Sequence, residues 1–295
     1  MENKSSGLGV LFILCSALCF AASSLFGKLV TVNSNLSGAM ASFSRFFLGT
    51  LIMLIFMILT KKSFKANKMK YIAIRSISNG LSILLFSIGF QLTSITNANM
   101  LQMTYPVFVM IIAPVFFNEK FSKKSYILLL FIMFGCYLVV NPDFSSINYG
   151  DVFSLVSSLA AAFSVLALKE ARKYDDTYII LFYVFAIAIF VNFPFALKDF
   201  KKLNFEPSII FFIVSSGLMG FFGQILITEG YKYVDNATGA MVSTFRIIIA
   251  ALMGIIIFND PINLRILIGG LIVMLSLVEI SGYFDIIKKK TKSKN

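Results

Sequence analysis

An all-α integral membrane fold, with ten transmembrane helices arranged as two inverted five-helix repeats, is predicted by three observations. First, 58% of the 295 residues are hydrophobic and only 14% are charged, which is more apolar surface than a soluble domain of this length can bury. Second, ten apolar stretches alternate with short polar links. Third, distinctive residues recur at a gapless offset of 141 positions. The solvent around most of the chain is therefore expected to be lipid.

Each apolar stretch is close to the roughly 20 residues that an α-helix needs to cross a hydrocarbon core of about 30 Å. The first follows a single basic residue, Lys4, and contains no small-x-small cleavage site, so we interpret it as a retained helix and not as a secretory signal. The predicted spans are 7–31, 36–60, 70–91, 95–117, 124–141, 149–169, 177–197, 207–229, 236–258 and 264–286. Most links are short, so consecutive helices are expected to be antiparallel neighbours.

The offset of 141 positions relates the two halves of the chain. Glycine, lysine and polar residues are matched as well as apolar ones, including Gly9 with Gly150, Lys28 with Lys169, Gly89 with Gly230, and Asn118-Glu119 with Asn259-Asp260. Each half contains five spans, an odd number, so the second half enters the membrane from the opposite side. The predicted units are a first repeat over 1–144, a second repeat over 145–286 and a cytoplasmic basic tail over 287–295.

The distribution of basic residues predicts the orientation. If the amino terminus is cytoplasmic, nineteen Lys and Arg residues fall in links on that side, among them Arg75, against four on the other side. The positive-inside rule then places both termini in the cytoplasm of a multi-pass protein of the inner (plasma) membrane. Because the basic residues occur in short tracts between apolar spans, the net charge of +12 indicates contact with anionic membrane lipids and not with nucleic acid.

The residue inventory argues against an enzyme. The chain contains no His, and its three cysteines, Cys15, Cys19 and Cys136, lie within apolar spans. Neither a zinc site nor a His-based catalytic site is expected, and no glycine-rich loop that could cradle a nucleotide phosphate is present. We therefore expect no catalytic residues, no metal and no cofactor.

Several short motifs resemble a known family. The segment 44–53, SRFFLGTLIM, resembles the Arg-Phe element in the second helix of EamA-type members of the drug/metabolite transporter superfamily. Further similarities are Gly27-Lys28 in span one, Pro106 in span four, the Glu119-Lys120-Phe121 link and Gly135 in span five. The chain departs from the family pattern in having no Trp near Phe20, and in having Ile247 where span nine would carry a proline.

The resemblance covers both halves and implies ten helices, cytoplasmic termini and the export or exchange of small organic solutes. Inverted repeats are themselves typical of secondary transporters. We therefore predict alternating-access transport of a small organic metabolite, such as an amino acid, a vitamin or a nucleoside-like cofactor. The alternative is a flippase of the same superfamily for a lipid or lipid-linked substrate. A homodimer is compatible with either function.

Charged residues at bilayer depth are costly and call for a reason. Arg246 lies about midway along span nine, where it is expected either to contact an anionic solute in a central cavity or to pair with Glu229 or Glu279. The first alternative predicts a solute with an anionic or zwitterionic part. Glu229 and Glu279 are also candidate proton-coupling groups, although their positions near helix ends favour ordinary ionised carboxylates.

Four residues are expected to have structural or gating roles: Arg45, Lys28, Pro106 and Glu119. Lys28 lies near the end of its span, where its stem could reach the membrane interface. Uncharged polar residues recur at helical spacing in span three, where Ser76, Asn79 and Ser82 lie, and in spans four, eight and nine. The candidate substrate-binding residues, besides Arg246, are Asn79, Asn99, Gln102, Tyr105, Gln224, Ser243 and Thr244. They could line a cavity or form hydrogen bonds between helices.

Overall fold

The fold is helical throughout the residues that the computed structural model describes, namely 2–116, 119–140, 148–202, 206–258 and 264–280. The helices of the first half are α1 (Glu2–Asn33), α2 (Gly38–Leu59), α3 (Met69–Leu92), α4 (Ile95–Gln102), α5 (Tyr105–Phe116) and α6 (Lys123–Val140). Those of the second half are α7 (Tyr149–Ala171), α8 (Thr177–Ala196), α9 (Pro207–Gly230), α10 (Asn236–Ser243), α11 (Phe245–Phe258) and α12 (Leu264–Ile280), with a 3-10 helix over Leu197–Lys202 after α8.

Nine stretches of the described residues are helical, long and apolar enough to cross a membrane. The tenth predicted span begins with α12, which has 17 described residues, and its remainder lies outside the described part, as do the boundary at 144–145 and the tail over 287–295. Side chains such as Leu59, Phe190 and Ile256 are at least three-quarters exposed, as expected for surfaces that face lipid. The predicted all-α membrane fold of roughly ten helices is confirmed.

The fourth span of each half is broken at the same place in the repeat. Residues Ile95–Gln102 and Asn236–Ser243 form the first pieces, and each has an N-cap side chain, that of Ser94 or Asp235, accepting a backbone N–H three residues on. Pro106 explains the first break, because proline lacks the N–H that would continue the helix. In the second half, where Ile247 replaces proline, the Thr244 hydroxyl donates to the Met241 carbonyl, a bond that competes with regular helix geometry.

The helices pack as an inverted repeat. The carboxyl ends of α1 and α3 lie together, since the Lys28 Nζ contacts the carbonyl oxygens of Phe90 and Thr93. In contrast, α1 runs antiparallel to α9, with Gly9 beside Gly230 and Ser23 beside Ser216. Because α9 is the repeat counterpart of α3, the two counterparts run in opposite directions.

Two matched glycine contacts bring the halves together. A Cβ on Gly9 would lie 3.0 Å from the Gly230 carbonyl oxygen, and a Cβ on Gly150 would lie 2.8 Å from the Gly89 carbonyl oxygen. These four glycines are related by the offset of 141 positions, so the α1–α9 crossing and the α7–α3 crossing are the same contact made twice. Small residues allow helix backbones to approach this closely within a membrane.

Two lysines cap helix ends in the same repeated manner. The Lys28 Nζ donates to the carbonyl oxygens of Phe90 at 2.5 Å and Thr93 at 3.2 Å, at the end of α3. The Lys169 Nζ donates to the corresponding carbonyl oxygens of Tyr231 and Val234, at the end of α9. An ammonium satisfies the last carbonyls of a helix and complements its dipole, so Lys28 caps the end of α3. Its extension to the membrane interface stays a prediction.

We expect Lys28→Met and Lys169→Met each to lower the free energy of unfolding by about 1–2 kcal/mol, because each leaves the end of a helix without its cation. The losses should add in the double variant, since the caps belong to opposite repeats. Thermal unfolding in detergent measures this. Lys173→Met is the matched control, because Lys173 is exposed and pairs only with Glu170 three residues earlier. Equal stabilities of Lys28→Met and the control would contradict the capping role.

Candidate solute-binding site

A cavity of about 80 Å³ lies between the two halves of the protein. Its wall combines residues from three spans of each half: Ser16, Ala17, Phe20, Arg75, Asn79, Ser82, Ile83, Gln102, Met103, Tyr105, Ala161, Ser164, Val165, Gln224, Ile227, Ser243 and Arg246. Several lining residues are repeat counterparts, including Gln102 with Ser243 and Tyr105 with Arg246. The cavity therefore lies where the repeats meet, and its walls differ chemically between the halves.

Arg75 lines the cavity, whereas the sequence predicted it to be one of the basic residues of a cytoplasmic link. It lies in the second turn of α3, and only 3% of it is exposed. Its Nη1 donates to the Ser164 Oγ at 2.5 Å and its Nη2 to the Gln224 Oε1 at 2.9 Å. The spacing of Arg75, Asn79 and Ser82, which is i, i+4 and i+7, could have indicated a shared helix face.

Gln224 extends this network back to the first half. Its Nε2 donates to the Asn79 Oδ1 at 3.0 Å, so Arg75, Gln224 and Asn79 form a chain that crosses between α3 and α9. Within the described part of the chain, the Asn79 Nδ2 and the Arg75 Nε are buried without a hydrogen-bond partner. Buried polar groups are nearly always paired, so these two donors are unusual.

Arg246 lies just after the break in span nine and is 8% exposed. Its Nη1 donates to the Gln102 Oε1 at 3.0 Å, and its guanidinium lies 4.9 Å from the centre of the Phe86 ring. The alternative of an ion pair with Glu229 or Glu279 is wrong. Glu229 contacts Thr177 and lies 3.8 Å from Arg172, and Glu279 contacts Lys124.

Arg45 is a third buried guanidinium beside the cavity. Its Nη1 lies 3.4 Å from the Ser23 Oγ, and its guanidinium lies 5.1 Å from the centre of the Phe20 ring, which lines the cavity. Its Nε and Nη2 have no hydrogen-bond partner. Within the described part of the chain, no acidic residue lines the cavity and no ion pair includes Arg45, Arg75 or Arg246. The cavity is therefore strongly positive.

Six of the eight candidate substrate-binding residues lie at the cavity: Asn79, Gln102, Tyr105, Gln224, Ser243 and Arg246. The other two, Asn99 and Thr244, are not part of its wall. The Asn99 Nδ2 donates to the Ile95 carbonyl oxygen and the Thr244 Oγ1 to the Met241 carbonyl oxygen, so both side chains bond to their own helices.

The two candidate coupling carboxylates lie away from the cavity. Glu229 is next to the last residue of α9 and Glu279 next to the last described residue of α12. Their side chains are 32% and 30% exposed, and each faces a cation. A coupling role for these two carboxylates stays a prediction.

Glu119 connects the link after span four to the second half. Its Oε1 accepts a hydrogen bond of 2.6 Å from the Asn236 Nδ2, at the start of α10. Burial raises the pKa of the Glu119 carboxyl, and the bond from Asn236 opposes this rise only in part. Among the described residues, the Glu119 Oε2 is buried without a hydrogen-bond partner. This burial makes the ionised form of the carboxyl costly.

We expect Glu119→Gln to be slightly more stable than the natural protein at neutral pH, by less than about 1 kcal/mol because the site is only partly buried. A raised pKa means that the folded state holds the proton more tightly than the unfolded chain. The contribution of Glu119 to the stability of the natural protein is therefore complete below the pKa that this carboxyl has in the unfolded chain. It is lost as the pH rises through the pKa that the carboxyl has in the folded protein. The advantage of the Gln variant should vanish in acid. Unfolding midpoints measured from pH 4 to pH 8 test this, and an advantage independent of pH would contradict it.

Comparisons with known proteins agree with this architecture. The family model of the EamA-like transporter family matches residues 7–141 and 148–282. The pseudopaline exporter CntI of Pseudomonas aeruginosa is 22% identical over 92% of this chain and 95% of its own. The S-adenosylmethionine uptake transporter of Rickettsia bellii is 20% identical over 92% of each chain. Human solute carrier family 35 member G1 is 24% identical over 86% of this chain and 73% of its own.

A solved crystal structure superposes with a TM-score of 0.73 at 10% identity, over 96% of this chain and 98% of the other, a likeness that concerns the fold alone. The relatives' names denote transport and not catalysis. Because the family model matches nearly the whole length in two successive copies, this multi-pass membrane protein belongs to the EamA-like transporter family.

Proposed function

We propose that the protein is a secondary transporter, an exporter or exchanger, that moves a small organic solute with an anionic or zwitterionic part across the inner (plasma) membrane by alternating access. One observation carries the proposal: a cavity between the two inverted halves is lined by two buried arginines and has no acidic residue among its described walls. A guanidinium stays protonated in proteins, so a negatively charged group is the solute chemistry that best compensates this site.

The contacts across the cavity suggest how access could alternate. Hydrogen bonds from Arg75 to Ser164, from Gln224 to Asn79 and from Arg246 to Gln102 each join one half to the other. A cavity of about 80 Å³ is smaller than the roughly 300–1,000 Å³ of typical ligand sites, so solute entry requires the halves to separate on one side. A bound anion would replace these hydrogen bonds with its own.

The relatives support the transport of small organic solutes in general. The Pseudomonas relative is named for export of pseudopaline and the Rickettsia relative for uptake of S-adenosylmethionine. Both names fit a carrier of metabolites, and they differ in direction. For this chain the cavity supports a solute with an anionic group, since among the described residues neither Arg75 nor Arg246 has a carboxylate partner.

Transport by purified protein in proteoliposomes tests the proposal. We expect accumulation of at least one radiolabelled compound from a panel of amino acids, mono- and dicarboxylates, phosphate monoesters and nucleosides, and no accumulation of the cation choline. Liposomes without protein are the control. Movement of choline alone, or of fluorescent phospholipid between leaflets without any water-soluble solute, would overturn the proposal and favour a cation carrier or a lipid flippase.

The proposed orientation places both termini in the cytoplasm. We expect fusions of green fluorescent protein to the amino and carboxyl ends to be fluorescent, and alkaline phosphatase fused at either end to be inactive, because the phosphatase folds only outside the cytoplasm. Opposite results at the two ends would contradict an even number of spans. Alkaline phosphatase fused after Lys202, in a predicted outside link, is the positive control.

A further inference from the structure

We infer that the cavity is a two-point site for a solute with two separate anionic groups, a dicarboxylate in the simplest case. One group would bind at Arg75 and the other at Arg246. The inference rests on the proposed function and narrows its solute class.

The first step is the charge of the cavity. Arg75 and Arg246 both line it, and Arg45 lies just behind Phe20. A buried charge without a partner is costly. A single carboxylate would leave one lining guanidinium uncompensated. A zwitterion would in addition bring an ammonium group for which the described walls offer no carboxylate. Two negative charges balance the two lining arginines.

The second step is that the two arginines come from different halves of the protein. Arg75 comes from α3 in the first half and Arg246 from α11 in the second half. Each has its own polar neighbours, Ser164 and Gln224 for the first and Gln102 for the second. Tyr105 also lines the cavity. The two cations therefore belong to different halves with separate hydrogen-bond partners, and we call their surroundings the two poles of the cavity.

The third step is the presence of unpaired donors at each pole. Within the part of the chain that the structure describes, the Arg75 Nε and the Asn79 Nδ2 are buried without hydrogen-bond partners at one pole, and the Arg246 Nε at the other. Charge-assisted hydrogen bonds from guanidinium to carboxylate are about twice as strong as neutral ones. A dicarboxylate would satisfy donors at both poles and would connect the two halves. A phosphate monoester carries the same charge on one compact group and would reach only one pole.

Isothermal titration of the purified protein in lipid nanodiscs tests the inference, with succinate, glutarate, monomethyl succinate and glycerol 3-phosphate as probes. We expect succinate or glutarate to bind about tenfold or more tightly than monomethyl succinate, which corresponds to one charge-assisted contact. We expect glycerol 3-phosphate to bind no more tightly than the monoester. This pattern would assign the site to two separated anionic groups.

Variants locate the two contacts. Arg75→Gln and Arg246→Gln should each bind the dicarboxylate and its monoester with about equal affinity. Arg75→Lys, which retains the charge, should keep part of the preference for the dicarboxylate. Arg172→Gln removes a buried guanidinium that faces Glu229 away from the cavity, and it should keep the full preference. Retained binding of monomethyl succinate shows that a Gln variant is folded.

Three results would overturn the inference. They are equal binding of mono- and dicarboxylates, tighter binding of glycerol 3-phosphate than of any dicarboxylate, and no binding of either dicarboxylate. In each case the proposed function is decided separately by the proteoliposome panel. If a monoanion or zwitterion is accumulated there, the carrier stands and only the two-point site fails.

Discussion

Arg246→Gln is expected to abolish solute transport while the protein still inserts into the membrane. The change removes a buried cation from the cavity and leaves the Gln102 Oε1 without the donor that lies 3.0 Å away. Truncating one partner of a buried charged contact typically costs about 2–5 kcal/mol, which lowers the affinity for an anionic solute by at least about thirtyfold. Initial uptake rates in proteoliposomes measure the loss.

Two matched variants separate the role of the charge from that of folding. Arg246→Lys retains a positive charge without the planar fork of the guanidinium, so we expect it to recover only part of the rate. Arg172→Gln makes the same chemical change away from the cavity and should transport at close to the natural rate. Normal transport by Arg246→Gln, at equal amounts of protein in the membrane, would refute the assignment of the cavity as the solute site.

Gly89→Val is expected to be strongly destabilising, because it places a branched side chain where α3 crosses α7. Even a Cβ at this position would overlap the Ser154 Oγ and would approach the Gly150 carbonyl oxygen to 3.0 Å. Overpacking of this kind costs about 1–3 kcal/mol, and more where backbone must move. Here the neighbour at Gly150 is backbone, so we expect a loss of about 3 kcal/mol and a clearly lower midpoint of thermal unfolding.

The repeat supplies a second, independent test of the same contact. At the α1–α9 crossing, Gly230→Val would place its Cβ 2.6 Å from the Ile13 Cγ1 and 3.1 Å from the Gly9 carbonyl oxygen. We expect a comparable loss. A Cβ on Gly270 meets nothing within 4 Å, so Gly270→Val is the control and should leave stability nearly unchanged. Equal midpoints for Gly89→Val and Gly270→Val would show that the glycine crossings do not hold the halves together.

Much of the architecture could be predicted from the chain alone because it depends on local and additive properties. Apolar length predicts spans, and an offset that matches Gly9 with Gly150 and Gly89 with Gly230 predicts a duplicated packing unit. The breaks in the helices of spans four and nine were harder to predict from the sequence. Pro106 signals the first, but nothing at Ile247 signals the second, where the Thr244 side chain bonds to a carbonyl of its own helix.

Only some of the residues of the candidate site could be predicted from the sequence. Arg246, Gln102, Tyr105, Gln224, Ser243 and Asn79 were identified because polar groups deep in apolar spans are costly wherever they point. Arg75 lies near the start of its span, at an end that the positive-inside rule predicts to be cytoplasmic, where a basic residue has an ordinary role in setting topology. Its inward direction depends on Ser164 and Gln224, which are 89 and 149 residues away in sequence. The same reason applies to Lys28, because its role as a helix cap depends on the carbonyl oxygens of Phe90 and Thr93, which belong to another helix.

The sequence by itself determined the membrane environment, the approximate number and the order of the membrane spans and the existence of two repeats, since hydropathy and periodicity are properties of each segment. Only the tertiary structure decided which cations face one another across the cavity and which merely cap a helix end. The physical reason is that the free energy of a buried charge depends on its partners, and those partners come from the opposite half of the chain.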